Sequence, residues 1–374
     1  MVGCGLMKAV IAFSGGMDST ALLINMLNRN YDITCISFDY GQKHKIEIER
    51  AKANINYLNS IGHIIEHKII DMTNSFEIFD SALLNDDIDI PEGHYEEAQM
   101  KLTVVPNRNA IFSSIMYGYA ISLVNKYNCD VKIGLGVHSG DHAIYPDCRP
   151  KFYESINKSF ALGNWKSENV TFYLPFIDAD KKYILNDLMT SCKILNINSN
   201  TILKNTLTSY NPDYKGKSSG KSGSDVERIL AFDSLGLEDP IEYVKPWKEV
   251  LLDALDTELR HHVTRENGTE RAFTGRYDKF SLTGKYRCYN CNKLLFTSEM
   301  KYNSGCGWPA FHSEHDSANI SRIIDASHGM ERVEVRCSSC DSHLGHVFED
   351  GPSQFGGERY CINSVSLDFE EELK

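Results

Sequence analysis

Apolar positions in the first half of the chain come in short runs separated by longer stretches of helical spacing. Lys8–Phe13, Thr34–Phe38, His63–Ile70 and Val131–Leu135 are brief, largely apolar and rich in β-branched residues, which predicts strands. Asp18–Arg29, Lys43–Ser60 and Arg108–Lys126 between them carry a helical period. This alternation predicts βαβ units and hence an α/β doubly wound parallel sheet, Rossmann-like, with helices on both faces. Ligands of such sheets bind beyond the carboxyl ends of the strands. Three turns fall there: the loop at Ser14, Asp39-Tyr40-Gly41 and Gly136-Val137-His138.

The pattern changes further on. Tyr214–Ser224 is rich in Gly, Ser and Lys and predicts a flexible loop. Gly236 and Pro240 then punctuate the chain before a charged helical stretch, Trp247–Arg260. Beyond it come short strands with glycine turns, such as Arg332–Arg336 and Ile362–Phe369, so the last part is expected to be mainly β. With 374 residues, two domains are expected. The boundaries are read as 1–245, a linker helix at 246–260, and 261–374.

No apolar run approaches the ~18 residues that span a bilayer. The stretch Met1–Phe13 lacks a basic leader segment, so a cytoplasmic protein is expected. A net charge of −12 argues against a broad nucleic-acid or anionic-membrane surface. No membrane partner and no direct nucleic-acid binding are therefore expected.

Chemistry concentrates at the two ends. Phe13-Ser14-Gly15-Gly16-Met17-Asp18-Ser19-Thr20, set between strand and helix, has the makings of a phosphate cradle for ATP. Its glycines allow close backbone approach, its hydroxyls donate, and Asp18 is the candidate to hold Mg²⁺ against the phosphates. The lysine of a Walker loop is missing, which excludes the usual γ-phosphate-transferring arrangement. Of eleven cysteines, Cys4, Cys35, Cys129, Cys148 and Cys192 lack metal-ligand spacing, whereas the six after residue 280 are ordered. Cys288-x-x-Cys291 and Cys337-x-x-Cys340 supply the four thiolates of one closed, structural Zn²⁺ site. Cys306 and Cys361 are left over, each beside polar or aromatic residues suited to a redox pocket. Arg359 and Asn363, placed on one strand face with Cys361 between them, would favour its thiolate or orient a substrate. A binding protein with a zinc ribbon is the competing reading, but it needs neither Cys306 nor Cys361.

The front of the chain resembles N-type ATP pyrophosphatases, and among them the 7-cyano-7-deazaguanine synthase (QueC) family. The matching strings, besides the Ser14 loop, are Phe38-Asp-Tyr-Gly-Gln42, Val105-Pro-Asn-Arg-Asn109, Gly136-Val-His-Ser-Gly-Asp141, Tyr145-Pro-Asp-Cys-Arg-Pro150 and Val226-Glu-Arg228, spanning about residues 7 to 245. The resemblance implies that ATP adenylates the carboxylate of 7-carboxy-7-deazaguanine and that ammonia displaces AMP to give an amide. A second adenylation then yields the nitrile. It further suggests Asp141 and Asp147 as acceptors for the aminopyrimidine edge and Arg149 as partner of a carboxylate. Two departures stand out. Four zinc cysteines usual in that family correspond here to Ser209, Ser219, Ser222 and Asp225, so no zinc is expected in this domain, and Pro-Glu-Phe reads Pro150-Lys151-Phe152. The domain either keeps this activity, acts on a different carboxylate, or is a degenerate ATP-binding scaffold.

From His262 to Phe369 the chain resembles the peptide-methionine (R)-S-oxide reductase (MsrB) family, through Phe273-Thr-Gly-Arg276, Tyr302-Asn-Ser-Gly-Cys-Gly-Trp-Pro309, Asp341-Ser-His-Leu-Gly-His-Val-Phe348, Asp350-Gly-Pro352 and Gly357–Leu367. The resemblance implies Cys361 as nucleophile toward oxidised methionine in peptides or proteins, Cys306 as resolving cysteine, and thioredoxin as reductant. Trp308 would wall the substrate methyl group, and His343 and His346 are candidates to hydrogen-bond or protonate the sulfoxide oxygen. Met17, inside the phosphate loop, suggests an oxidation-sensitive spot that such a reductase would repair.

Overall fold

A computed structural model describes residues 7–43, 46–85, 87–94, 96, 98–318 and 320–372. Cys4 and the start of the expected helix at Lys43–Ser60 lie partly or wholly outside the described residues. The chain divides into two compact units, Met1–Ala254 and Leu255–Lys374.

The first unit contains β1 (Lys8–Ala12), α1 (Met17–Asn28), β2 (Asp32–Asp39), α2 (Ile46–Ser60), β3 (Glu66–Asp71), α3 (Thr73–Phe76), α4 (Arg108–Tyr127), β4 (Val131–Gly134), α5 (Pro150–Gly163), β5 (Val170–Tyr173), α6 (Lys181–Ile194), α7 (Ser199–Lys204) and α8 (Gly223–Ser234). The strands form one sheet in the order β3-β2-β1-β4-β5, all parallel. The central strand shows why both faces need cover: Ala9 and Ile11 join a core with α1 and α6, while Val10 joins one with α4 and α5. Strand order reverses between β1 and β4, so a crevice opens at their carboxyl ends. β5 escaped the pattern, because Val170-Thr-Phe-Tyr173 is four residues long and only Val170 is fully buried.

The second unit is mainly β. A six-stranded antiparallel sheet has the order β10 (Ile320–Asp325), β11 (Arg332–Cys337), β12 (His343–Phe348), β13 (Arg359–Ile362), β9 (Ala310–Phe311), β8 (Lys301–Tyr302). A three-stranded sheet has the order β14 (Leu367–Glu371), β6 (Gly284–Cys288), β7 (Leu294–Thr297). Tyr286, Phe296, Phe311, Leu344 and Ile362 lie in the core of this unit. The single strand expected over Ile362–Phe369 is instead two: β13 ends at Ile362, a 3-10 turn covers Ser364–Ser366, and β14 begins in the other sheet. The reason is the buried Glu270, whose carboxylate accepts from Ser364 N (2.5 Å) and Val365 N (3.3 Å), taking donors that a neighbouring strand would need.

The charged stretch after Pro240 forms α9 (Trp247–Glu266), longer than the Trp247–Arg260 helix expected. Its Val250 and Ala254 pack with Val226 and Ile229 of α8. Arg260 donates to Val365 O (3.1 Å). No helix among the described residues is long and apolar enough to cross a membrane.

Candidate active sites

The loop after β1 turns at Gly15, where φ is +88° and an added Cβ would sit 2.3 Å from the Glu47 carbonyl oxygen, so no other residue fits. Ser14 Oγ accepts from Gly16 N (3.2 Å) and lies 3.1 Å from Ser19 Oγ. A Cβ on Gly136, just past β4, would come within 2.9 Å of Ser19 N, so loop and β4 exit meet at the sheet's reversal point. Of the eight loop residues, Phe13, Ser14, Gly16, Asp18 and Ser19 line a cleft of about 230 Å³, and Gly15 underpins it. Met17 and Thr20 are instead fully buried, because the helical period of α1 turns them toward the interior. Burial shields the Met17 sulfur, which overturns the idea of an oxidation-sensitive loop.

Asp18 Oδ2 accepts from Lys181 Nζ at 2.8 Å, and Lys181 also lies 2.8 Å from His138 Nε2 and 3.7 Å from Glu227 Oε2. Burial works to discharge Lys181, but Asp18 and Glu227 outweigh it and hold its pKa above the usual value. Burial likewise resists ionisation of Asp18, and Lys181 and His138 outweigh it. Both groups therefore remain charged. Asp18 Oδ1 is buried without a partner, which suits a carboxylate waiting for a cation beside phosphates. Lys181 comes from the first turn of α6, so the local motif gave no sign of it.

Asp141 lines the cleft, with Oδ2 accepting from His138 N (3.4 Å). Asp147 and Arg149 are not among the lining residues. Asp147 caps the start of α4 by accepting from Asn109 N (3.3 Å), and exposed Arg149 donates to His142 O (2.8 Å). The guanidinium of the cleft belongs to Arg108, which donates to Tyr40 Oη (3.3 Å). Glu47 faces the same space, and burial pushes its carboxyl up to about 7 against the pull of Arg108. Phe38 and Phe112, stacked at 4.0 Å, add a flat apolar wall.

The glycine–serine stretch at Tyr214–Ser224 is bound down rather than loose. The fully buried Asp225 carboxylate accepts from Ser209 Oγ (2.8 Å), Ser218 Oγ (2.6 Å), Ser222 Oγ (2.8 Å) and Ser219 Oγ (3.3 Å). Ser222 and Asp225 also form a capping box at the start of α8. Burial pushes the Asp225 carboxyl up, and the serine hydroxyls oppose it. The four positions singled out against the QueC pattern thus meet at one point, tied by hydrogen bonds.

In the second unit Cys361 on β13 lies 3.6 Å, Sγ to Sγ, from Cys306. Ser304 Oγ donates to Cys306 Sγ at 3.0 Å, and half-buried Trp308 donates from Nε1 to Glu270 O at 3.0 Å. Burial opposes ionisation of Cys306, but Ser304, the Trp308 backbone and Cys361 outweigh it and bring its pKa below the usual value. Burial and the neighbouring Cys306 charge push Cys361 up to about 12, against Arg359. Of the two thiols, Cys306 is therefore the easier to ionise. Arg359 is fixed by a fork to Asp350, both bonds 2.8 Å.

Cys361 pairs across the sheet with His346. A register shift opposite Val335 and Arg336 makes Leu344 an extra residue in β12, which brings His343 onto the same face as His346. Their ring centroids are 5.5 Å apart. His346 Nε2 is engaged by Asp325 Oδ2 at 2.9 Å. His343 Nδ1 lies 2.5 Å from Glu334 Oε1, while its Nε2 is buried without a partner. Burial lowers the His343 pKa despite Glu334. Asn363 departs from expectation: it lies past the end of β13, is buried, and braces Leu344 O (3.2 Å) and Glu270 N (3.0 Å). It cannot share a strand face with Arg359, because the strand has already ended.

Cys288, Cys291, Cys337 and Cys340 converge with all four Sγ atoms within 4.8 Å of one another. Cys288 and Cys340 are 3.6 Å apart, and Cys291 and Cys337 3.5 Å. A tetrahedral zinc with ~2.3 Å bonds separates its sulfurs by roughly 3.8 Å, so the set fits Zn²⁺. The neighbouring Cys288 thiol brings Cys337 down to about 5, while the same contact pushes Cys288 up.

A family model described as "Queuosine biosynthesis protein QueC" matches residues 8–236, and one described as "SelR domain" matches residues 256–371. A 7-cyano-7-deazaguanine synthase of Pseudoalteromonas translucida is 40% identical over 236 residues, covering 63% of this chain and 98% of the relative. One of Hahella chejuensis is 42% identical over 236 residues, covering 63% of this chain and 93% of the relative. Among solved structures, NMN synthetase from Francisella tularensis is similar at 16% identity and a TM-score of 0.30, covering 68% of this chain and 84% of that one. That score is too low to bear on function.

Proposed function

Since the chain belongs to the QueC family and carries an SelR domain behind that match, we propose that it converts 7-carboxy-7-deazaguanine to 7-cyano-7-deazaguanine with ATP and ammonia, and separately reduces peptide methionine (R)-S-oxide. It is an enzyme twice over, a ligase in front and an oxidoreductase behind.

For the ligase, the observation carrying the reading is Asp18, which lines one cleft with the phosphate loop and Arg108 and is paired with the buried Lys181. The N–H groups of the loop receive the phosphates, and the buried charge of Lys181 behind Asp18 helps to stabilise pyrophosphate as it departs. Asp18 would hold Mg²⁺, which when bound neutralises phosphate charge. Arg108 takes the role first assigned to Arg149, orienting the substrate carboxylate, and Asp141 accepts from the base edge. This intact constellation favours an active domain over a degenerate scaffold. The test is product analysis: protein, ATP, Mg²⁺, ammonia and 7-carboxy-7-deazaguanine should give AMP and the nitrile by mass spectrometry. An unchanged substrate would overturn the reading.

For the reductase, the 3.6 Å gap between Cys306 and Cys361 carries the reading. The Cys361 sulfur attacks the sulfoxide sulfur and its proton moves to the sulfoxide oxygen; the hydroxyl then shifts to the Cys361 sulfur as the methionine sulfur gives up its bonds to both. Methionine and a Cys361 sulfenic acid result. Cys306 then attacks that sulfur, water leaves, and a disulfide forms that thioredoxin reduces. Trp308 supplies the wall for the methyl group, and His343 or His346 steadies the oxygen. Cys361→Ser should abolish reduction of an R-sulfoxide peptide; full activity there would refute the assignment. The four-cysteine zinc site is structural, having no open position.

A further inference from the structure

Both chemical steps after adenylation take a proton from nitrogen. Ammonium must be deprotonated to become a nucleophile, since near neutral pH it holds its proton much as a lysine does. The cleft contains one carboxylate placed for this. Glu47 sits in the first turn of α2, its backbone carbonyl pressed against Gly15 of the phosphate loop and its side chain lining the cleft with Arg108. It has no hydrogen-bond or ion-pair partner among the described residues, whereas Asp18 is paired with Lys181 and Asp141 is held at His138.

We propose, resting on the functional reading above, that Glu47 is the base at the reacting nitrogen. In the first step Glu47 takes a proton from ammonium. The freed lone pair bonds to the acyl carbon of the adenylate, the carbon–oxygen bond breaks, and AMP leaves with its electrons. The surplus proton on nitrogen passes to water. Glu47 gives its proton to water between the steps; the amide oxygen is then adenylated with loss of one nitrogen proton to water, so the imidate nitrogen bears one proton. Glu47 removes it, the N–H pair becomes the third carbon–nitrogen bond, and AMP leaves again. One base thus serves one nitrogen twice.

The surroundings favour this strength of base. Burial brings the Glu47 carboxyl up to about 7, near the operating pH that suits a general base. The other charged or titratable groups facing the cleft are Asp18, Tyr40, Arg108, Asp141, Tyr145 and Tyr210, together with Cys148, whose thiol burial pushes up.

The test compares the full chain with Glu47→Gln, measuring substrate-dependent ATP–pyrophosphate exchange and formation of amide and nitrile. At about pH 7 the ratio of product formation to exchange should fall roughly 100-fold, the usual scale of general-base loss. At high pH, where ammonia is already free, amide formation should recover most of that loss. An unchanged ratio at pH 7 overturns the proposal, and so does a loss that persists undiminished at high pH. If Glu47→Gln does not fold, Glu47→Asp replaces it: a product-to-exchange ratio and pH profile identical to wild type overturn the proposal. Absence of exchange in the wild-type protein overturns the functional reading instead.

Discussion

At the scale of single residues, two groups are held in protonation states that their neighbours impose. Cys306 and Cys361 lie 3.6 Å apart, and their surroundings lower the pKa of the first while raising that of the second. A Cys306→Ser protein should therefore still release about one methionine per chain, then stall as the sulfenic acid; multiple turnovers with thioredoxin would contradict this. Glu47 titrates near 7 in the folded state against an ordinary 4.5. The fold then binds this proton more tightly than the unfolded chain does. Its contribution to stability is complete below about pH 4.5 and is lost as pH rises toward 7. Glu47→Gln should thus raise the ATP-responsive melting transition at pH 8 by about 1–2 kcal/mol, discounted for partial exposure, and leave it unchanged near pH 4.5. Little of this was legible beforehand. The loop serines and Asp18 announced themselves by motif, but Arg108 and Glu47 reach the cleft, and Lys181 reaches Asp18, from three separate helices. Arg149 drew attention through the Pro146–Pro150 string that resembles the QueC family, and the fold turned it outward.

At the scale of elements, hydrophobic period was a sound guide where runs were long. Four of the five parallel strands were readable, and β5 was too short and too lightly buried to register. The break between β13 and β14 was hidden, because it depends on Glu270, more than ninety positions away, capturing two backbone donors. The bulge in β12 was equally invisible, although it decides whether His343 stands with His346. Tyr214–Ser224 misled for another reason: a serine-rich string looks loose until its hydroxyls find a buried carboxylate. Ser218→Ala, which removes the shortest of those bonds, should destabilise the front unit by about 1–3 kcal/mol, read as a shift in urea midpoint. Asp225→Asn should be worse, since its NH₂ cannot accept what the serines donate.

At the scale of the molecule, two chemistries occupy two separately cored units, and their dependence on metal should differ. Elemental analysis is expected to give one zinc per chain, bound by Cys288, Cys291, Cys337 and Cys340. Chelation should abolish sulfoxide reduction and unfold the rear unit while leaving pyrophosphate exchange intact. Two zincs per chain, or loss of exchange on chelation, would contradict this. The knot at Asp225 gives that expectation a wider meaning. A thiolate–metal clasp fails when an oxidant takes electrons from its sulfurs, and the ion then escapes. Carboxylate and hydroxyl oxygens have no such electrons to give up, so peroxide finds nothing there to unfasten. When a cell is short of zinc or flooded with oxidant, the nitrile-forming half should hold its shape after the repair half has lost its own.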